Sequence, residues 1–597
     1  MLASIAPAQR SAIPVVRYEL RIDSADRSGF DVEMRVRGVP DTFRVAMAAH
    51  PEYDDQYWRF VEGLRAETRT GSAAVSREDS ALWRVVAPGG DVVVRYRIRL
   101  PAAEVPPRAA WRPFLGPTGA LVGGPHSFMY VLGATRTASH VALEIPRGWE
   151  IATGLEPTAE PRIFFAPSVY TLVDSPILVG QFRTWRFAVD GVPHRVVYWP
   201  MPPVPGTPAA AFDTATFVSS IERLAQQAVA LFGRAPYREY TFLFQEGAYG
   251  GLEHMNSVTL GVPGTDGANS TEILAETAHE FIHTWNLMRI RPAERGDVDY
   301  RQSGQSRGLW WSEGATMYYA DLLLRRAGLP VSDSTRVAHL ESLIARYQFN
   351  PGNFRVSPER ASLAEYGAPP GSLGDYDPSP HLQGELLSGM LDLIVRDATN
   401  GRRSLDDVMR AMLRQSSVEQ YRGFTGRDIE RTVAEICRCV VRPFFDTHIR
   451  AARSLDFDSY LRLIGLRTRV SWSPALDREG RPATDLRMRA WQPPGQDGMH
   501  LLITDPASVW GRAGLHTGDR LVAMNGSPMT SWGDVRGVLS RLRIGDTVHI
   551  ELARSTGPRR TSVVAAGYER PQVRIEEIPE ATERQRALRA GWLAGKP

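Results

Sequence analysis

From Tyr18 to about Arg183, apolar and polar residues alternate over short runs. In "RYELRI", Tyr18, Leu20 and Ile22 fall on one side of an extended chain, and in "VVVRYRIRL", Tyr96, Ile98 and Leu100 alternate with arginines. A period of two, broken by prolines and glycines, predicts strands with one buried face, so the stretch 1–205 reads as an all-β domain. "WPMPPVPGTP", from Trp199 to Pro208, is a proline-dense connector and predicts a boundary. The period then changes. "FVSSIERLAQQAVALFG" places Phe217, Ile221, Leu224, Ala228 and Leu231 on one helical face, with Gly233 as a stop. "REYTFLF" predicts a strand and "QEGAYGGLEH" a turn, after which helical patterns dominate from about Ser270 to Gly465, giving a second, mostly α domain over 206–465. The region 466–569 returns to strands: "DPASVWGRAGLHTGDRLVAMNGSPMTSWGDV" combines a helix-turn, a Gly-Asp turn and an Asn-Gly hairpin turn between apolar runs. The tail, 570–597, carries a helix-like "TERQRALRAGWL".

Composition narrows the chemistry. A chain of 597 residues exceeds what one core can organise, and its 43% apolar and 23% charged content is that of a globular, soluble protein. No apolar run approaches the ~20 residues that span a bilayer, so no membrane span is expected. A net charge of +3 on so large a surface gives no footprint for nucleic acid. The basic residues are almost all arginine, and the only lysine is Lys596, which excludes phosphate loops, Schiff-base chemistry and kinase folds. Cys437 and Cys439 are too few for a disulfide framework or a Cys-rich metal site and are expected to pack as small apolar residues. The opening "MLASIAPAQRSAIPVV" lacks the basic start and long apolar core of a signal peptide, although "APAQ" looks like the end of a cleaved leader. A truncated leader would place the protein in the periplasm or outside the cell; otherwise it is cytoplasmic.

The segment "ETAHEFIHTW" carries the strongest chemical signal. On a helix, His279 and His283 project from one face and can grip one metal ion. The bland alternative is a buried amphipathic helix with Phe281, Ile282 and Trp285 in the core, and those apolar neighbours fit both readings. A catalytic zinc takes three protein ligands and keeps one position for water, so a third ligand is needed downstream. "LWWSEGATMYY" offers Glu313, expected to open a second helix after Ser312. Glu280, off the ligand face, is placed to take a proton from the zinc's water.

Taken together, "HEFIHTWNLMRIRP", "WWSEG" and "YGGLEH" followed by the C-terminal hairpins resemble the glycyl aminopeptidase family of gluzincin metallopeptidases, distant relatives of aminopeptidase N. The 466–569 region is similar to a PDZ domain. The resemblance implies a multidomain chain: an all-β N-terminal domain, a thermolysin-like, mostly α catalytic domain, and a PDZ domain. It implies one zinc ion per chain held by His279, His283 and Glu313, with Glu280 as general base and later proton donor to the leaving amine. It also implies that the backbone of Gly250 and Gly251 lies along a peptide substrate, and that Glu253 binds the substrate's free α-ammonium group. One position departs from the family pattern. Where the relatives carry an oxyanion-stabilising tyrosine before a helix-start glycine, this chain has "HLQG", so that His381 stands at the tyrosine position and Gln383 at a lysine position. Either His381 donates to the oxyanion or Tyr376, in "GDYDPSP", reaches in from the loop. The expected activity is release of small N-terminal residues, Gly or Ala. The rivals are a zinc endopeptidase and a PDZ-based binding scaffold with a structural zinc. The PDZ domain would take a peptide or a chain terminus by strand addition.

Overall fold

The computed structural model describes residues 14–596 except 24, 49–55, 101–107, 203–210, 296–299, 302–303, 367, 370, 417–421 and 493–497. The candidate leader, up to residue 13, and the connector from Pro203 onward thus lie outside the described residues. The chain forms two compact units, one of residues 1–289 with 297–304 and one of residues 290–296 with 305–597. The expected 206–465 domain is therefore shared between them. Among the described residues no helix is long and apolar enough to cross a membrane.

The first unit opens with an eleven-stranded sheet. At its centre, β1 (Val15–Arg21) runs antiparallel to β2 (Gly29–Arg37) and β2 antiparallel to β3 (Asp91–Arg99), while β1 pairs in parallel with β4 (Ser139–Glu144). The alternation read from the sequence sets the faces: Tyr18, Leu20 and Ile22 are buried, as are Tyr96, Ile98 and Leu100.

A second sheet of five strands holds the candidate chemistry, in the order β5 (Arg183–Val189), β6 (Val192–Trp199), β7 (Tyr240–Glu246), β9 (Ser257–Val262), β8 (Gly251–Glu253). The proline-dense connector is therefore not a clean boundary, because β6 before it pairs directly with β7 after it, Val196 opposite Phe242. The second half of β6 and nearly all of β7 are buried on both faces, as in a covered sheet. Helix α1 (Thr214–Phe232) covers this sheet with Phe217, Ile221, Leu224, Ala228 and Leu231 buried. It ends at Gly233, whose φ of 83° lets its N–H close back on the Val229 carbonyl. Helix α2 (Thr271–His283) begins at Ser270, whose hydroxyl accepts from the Ile273 N–H.

In the second unit, α3 (Leu309–Arg326) and α4 (Pro380–Thr399) are the central pair. Both begin earlier than the sequence suggests. Helix α3 starts before Ser312 because Ser362, distant in sequence, caps the Trp310 N–H at 2.9 Å. Helix α4 starts at Pro380, capped by the Ser379 hydroxyl, rather than near Gly384. The pair crosses at two glycines. A Cβ on Gly384 would sit 1.8 Å from the Trp310 carbonyl oxygen, and one on Gly314 2.2 Å from the Gly384 backbone. These contacts are backbone against backbone, so neither helix can yield without separating from the other. Gly384→Ala is expected to destabilise the protein by at least ~3 kcal/mol, the upper end of ordinary overpacking, read as a lower denaturant midpoint; an unchanged midpoint would contradict the crossing.

Cys437 and Cys439 form a disulfide with each other, a correction to their expected role as free apolar residues. Arg438 between them adopts the left-handed conformation that ends a helix, φ 52°, and this brings the two thiols round to one side.

The C-terminal part of this unit is a module with its own core, including Leu501, Trp510, Leu515, Val535 and Ile550. Its sheet runs β11 (Met488–Trp491), β12 (Met499–Ile503), β13 (Arg520–Met524), β14 (Thr547–Arg554), β15 (Gly557–Val564). The flanking strands β10 (Leu466–Pro474) and β16 (Glu569–Glu577) pair with each other. The Asn-Gly turn expected after β13 is present, with Asn525 and Gly526 both at positive φ. The tail helix is also present, as α6 (Glu583–Leu593), following α5 (Trp532–Leu539).

Candidate active site

In the first unit, α2 lies against β8, the end strand of the five-stranded sheet. One turn of helix brings the two histidines together, with His279 Nε2 and His283 Nε2 3.0 Å apart. The other ring nitrogen of His283, Nδ1, lies 2.9 Å from the Asn286 carbonyl oxygen. When Nδ1–H donates there, Nε2 carries the lone pair that a metal requires. Two neutral imidazole nitrogens converging on one point fit a divalent ion of the zinc type.

Glu280 is buried, 6% exposed, and turns toward β8. A Cβ on Gly251 would lie 2.5 Å from its Cγ, so only a glycine lets that strand pass over the carboxylate. Gly250, at φ +70°, makes the bend that admits the strand, with Trp111 close against it. The Gly251 N–H also donates to Glu276 on α2, opposing the rise that burial imposes on that carboxyl's pKa. Two residues further along β8, Glu253 joins Glu280 and His283 in a cluster whose ligand atoms all lie within 4.8 Å of one another. Four predicted residues of this unit, Glu253, His279, Glu280 and His283, are therefore brought close together.

Arg289 is a positioning residue that sequence reasoning missed. Its guanidinium is buried, which lowers its pKa to about 10. It donates to the carbonyls of Thr284 at 2.7 Å, Met255 at 2.9 Å and Pro236 at 3.0 Å. It thereby ties the segment after Glu253 to the end of the histidine helix. In the sequence it stands in "HTWNLMRIRP", where nothing local marks it as buried.

In the second unit, Glu313 is buried on α3, 7% exposed. His381, in the first turn of α4, places Nε2 3.3 Å from Glu313 Oε2. The glycine crossing explains this meeting, because Gly314 and Gly384 allow the two helices to approach closely where these side chains arise. Gln383, at the position where the relatives carry lysine, is buried and donates to the carbonyls of Asn353 and Val356, both at 2.9 Å. Tyr376 lies half-buried in the loop before α4.

Two family models match the chain: M61 glycyl aminopeptidase over residues 272–375, and the Peptidase M61 N-terminal domain over residues 17–181. Over these two stretches the chain matches the M61 peptidase family, in its N-terminal and its peptidase regions. It is accordingly a metallopeptidase, and the catalytic match contains His279, Glu280, His283 and Glu313. Among solved structures, an aminopeptidase N family protein from Idiomarina loihiensis is 20% identical with a TM-score of 0.73, covering 97% of this chain and 100% of that one. An M1 zinc metallopeptidase from Deinococcus radiodurans, in a mutant form bound to Tyr-Ser-Ala, is 15% identical with a TM-score of 0.46, covering 75% of this chain and 96% of that one. The first of these shows that this chain shares its fold. No curated protein matches it.

Proposed function

We propose that this chain is a zinc-dependent aminopeptidase that releases small N-terminal residues, Gly or Ala, from peptides. The observation that carries the reading is the cluster on β8. Glu253 holds a carboxylate beside Glu280 and His283, on an end strand beside which a peptide backbone can lie. A fixed carboxylate next to the reacting groups favours a chain end, whose ammonium it binds, over an internal peptide bond.

His279, His283 and Glu313 are the residues we assign to zinc, one ion per chain. When bound, zinc supplies a Lewis acid that polarises the scissile carbonyl and lets water lose a proton near neutral pH. Glu280 accepts that proton and returns it to the leaving amine; its burial under Gly251 shields it from bulk solvent. Gly250 and Gly251 let the substrate backbone approach, since a side chain at Gly251 would displace Glu280. His381 donates to the oxyanion that develops on the substrate. We read the C-terminal module as PDZ-like, with β11 at the end of its sheet available for strand addition by a peptide or chain terminus.

Two results test the assignment. Glu313→Ala should bind zinc more weakly than the native chain, since only two neutral imidazoles remain; full metal content would remove Glu313 from the ligand set. Glu253→Ala should raise KM for free-amine peptides about 10- to 100-fold, as expected for a charge-assisted hydrogen bond of ~1.5–3 kcal/mol. An unchanged KM would remove Glu253 from ammonium binding.

A further inference from the structure

The loop that leads into α4 is gripped by the C-terminal module. Asp375 Oδ1 accepts from the Thr517 backbone N–H at 2.8 Å, and its Oδ2 lies 2.7 Å from His516 Nδ1. Two residues on, Asp377 pairs with Arg489 of β11 at 3.6 Å. The start of the loop meets the same turn, since a Cβ on Gly371 would lie 3.1 Å from the Thr517 carbonyl oxygen. The gripping turn is itself fixed. The Thr517 hydroxyl accepts from the Ile503 N–H at 3.0 Å, and the Asp519 carboxylate accepts from the His516 N–H at 2.9 Å. Asp519 is in turn paired with Arg554.

From Asp375 the chain reads Asp-Tyr-Asp-Pro-Ser-Pro-His, ending at His381. Pro378 and Pro380 remove backbone freedom over this stretch, and each also restricts the residue before it. Further contacts hold it on the catalytic side: Asn350 donates to the Asp377 carbonyl at 2.6 Å, and the Asn353 side chain accepts from the Ser379 N–H at 3.0 Å. A short, stiff segment anchored at Asp375 thus sets where His381 meets Glu313.

We propose that Asp375 is a positioning residue through which the C-terminal module holds the 375–381 segment in its working position. The module is then part of the catalytic machinery's support, whatever peptide it also binds. The effect on rate rests on the aminopeptidase reading above; the grip itself does not. Misplacing a reacting group by about 1 Å costs up to ~10² in rate, so Asp375→Ala should lower kcat roughly 10-fold or more, with KM and zinc content unchanged. Asp375→Asn keeps an oxygen for the Thr517 N–H and should recover most of that loss. Arg489→Ala removes a side chain that is 70% exposed, so it should leave the melting temperature nearly unchanged while lowering kcat a few-fold. In parallel, hydrogen exchange on the full-length protein should show the 372–379 amides exchanging at least about 10-fold faster in Asp375→Ala, with the amides of α2 and α3 unaffected.

Unchanged loop exchange would overturn the grip, whether or not the chain hydrolyses any peptide. Faster loop exchange with kcat held within two-fold would overturn the positioning role. A fall in kcat matched by loss of zinc or a lower melting temperature would reduce Asp375 to a structural contact. Absence of peptidase activity in the native protein would sink the aminopeptidase reading instead, leaving the exchange experiment to decide the grip.

Discussion

Glu280→Gln should retain its metal and its fold yet lose at least ~10² in kcat. The substitution keeps the size and shape of the side chain under Gly251, where a Cβ would come within 2.5 Å of Glu280 Cγ, so no repacking is required. What disappears is the capacity to accept a proton. General base catalysis typically contributes 10²–10⁴ in rate, and here the same group is asked to return the proton to the leaving amine. Because the ammonium contact proposed for Glu253 would be untouched, KM should change little, and the loss should fall on kcat and kcat/KM alike. Near-normal turnover with full metal content would sink the role of Glu280 as the base.

The second large effect concerns the oxyanion. His381→Phe should cut kcat by ~10²–10³ with metal intact, the usual consequence of losing one donor, while Tyr376→Phe should stay within a few-fold. The ring nitrogen of His381 lies 3.3 Å from Glu313 Oε2, which puts a donor beside the residue assigned to the metal. A neutral imidazole carries one N–H and so can donate without being charged, given the right tautomer. Three outcomes decide the matter. The predicted ranking assigns the role to the histidine. The reverse ranking at equal metal occupancy assigns it to the loop tyrosine. A loss of metal in His381→Phe makes the histidine a support for Glu313.

Much of the architecture was legible because local pattern and tertiary environment agree. The alternation around Tyr18 and Tyr96 reports a sheet with one buried face, and the apolar stripe from Phe217 to Leu231 reports a helix laid on another sheet. The Asn-Gly turn at Asn525 needs only positive φ at two positions, a purely local demand. Elements whose limits depend on distant groups were not legible. Helix α3 begins where it does because Ser362 caps Trp310, and nothing near Leu309 signals this. The sheet that straddles the proline-rich connector follows from pairing between β6 and β7, which sequence period cannot report.

The candidate site divides along the same line. His279 and His283 stand one helical turn apart, so their convergence was readable from spacing alone. The cluster of Glu253 with Glu280, the buried arginine at Arg289 and the grip on Asp375 each join segments far apart in sequence. Gly314 and Gly384 are an intermediate case. They appeared as parts of short motifs, but the reason for them, backbone contact between two helices, belongs to the packed structure.

Whether the chain is an aminopeptidase is decided by one comparison of substrates. Zinc-loaded native protein is given one glycine- or alanine-initiated peptide in two forms, with a free amine and with an acetylated amine, and the products are identified by mass. The first residue should be released from the free-amine peptide, with the acetylated form cleaved at least ~10-fold more slowly, because Glu253 then has no ammonium to bind. Equal cleavage of both forms at internal bonds would contradict the aminopeptidase reading and make the protein an endopeptidase.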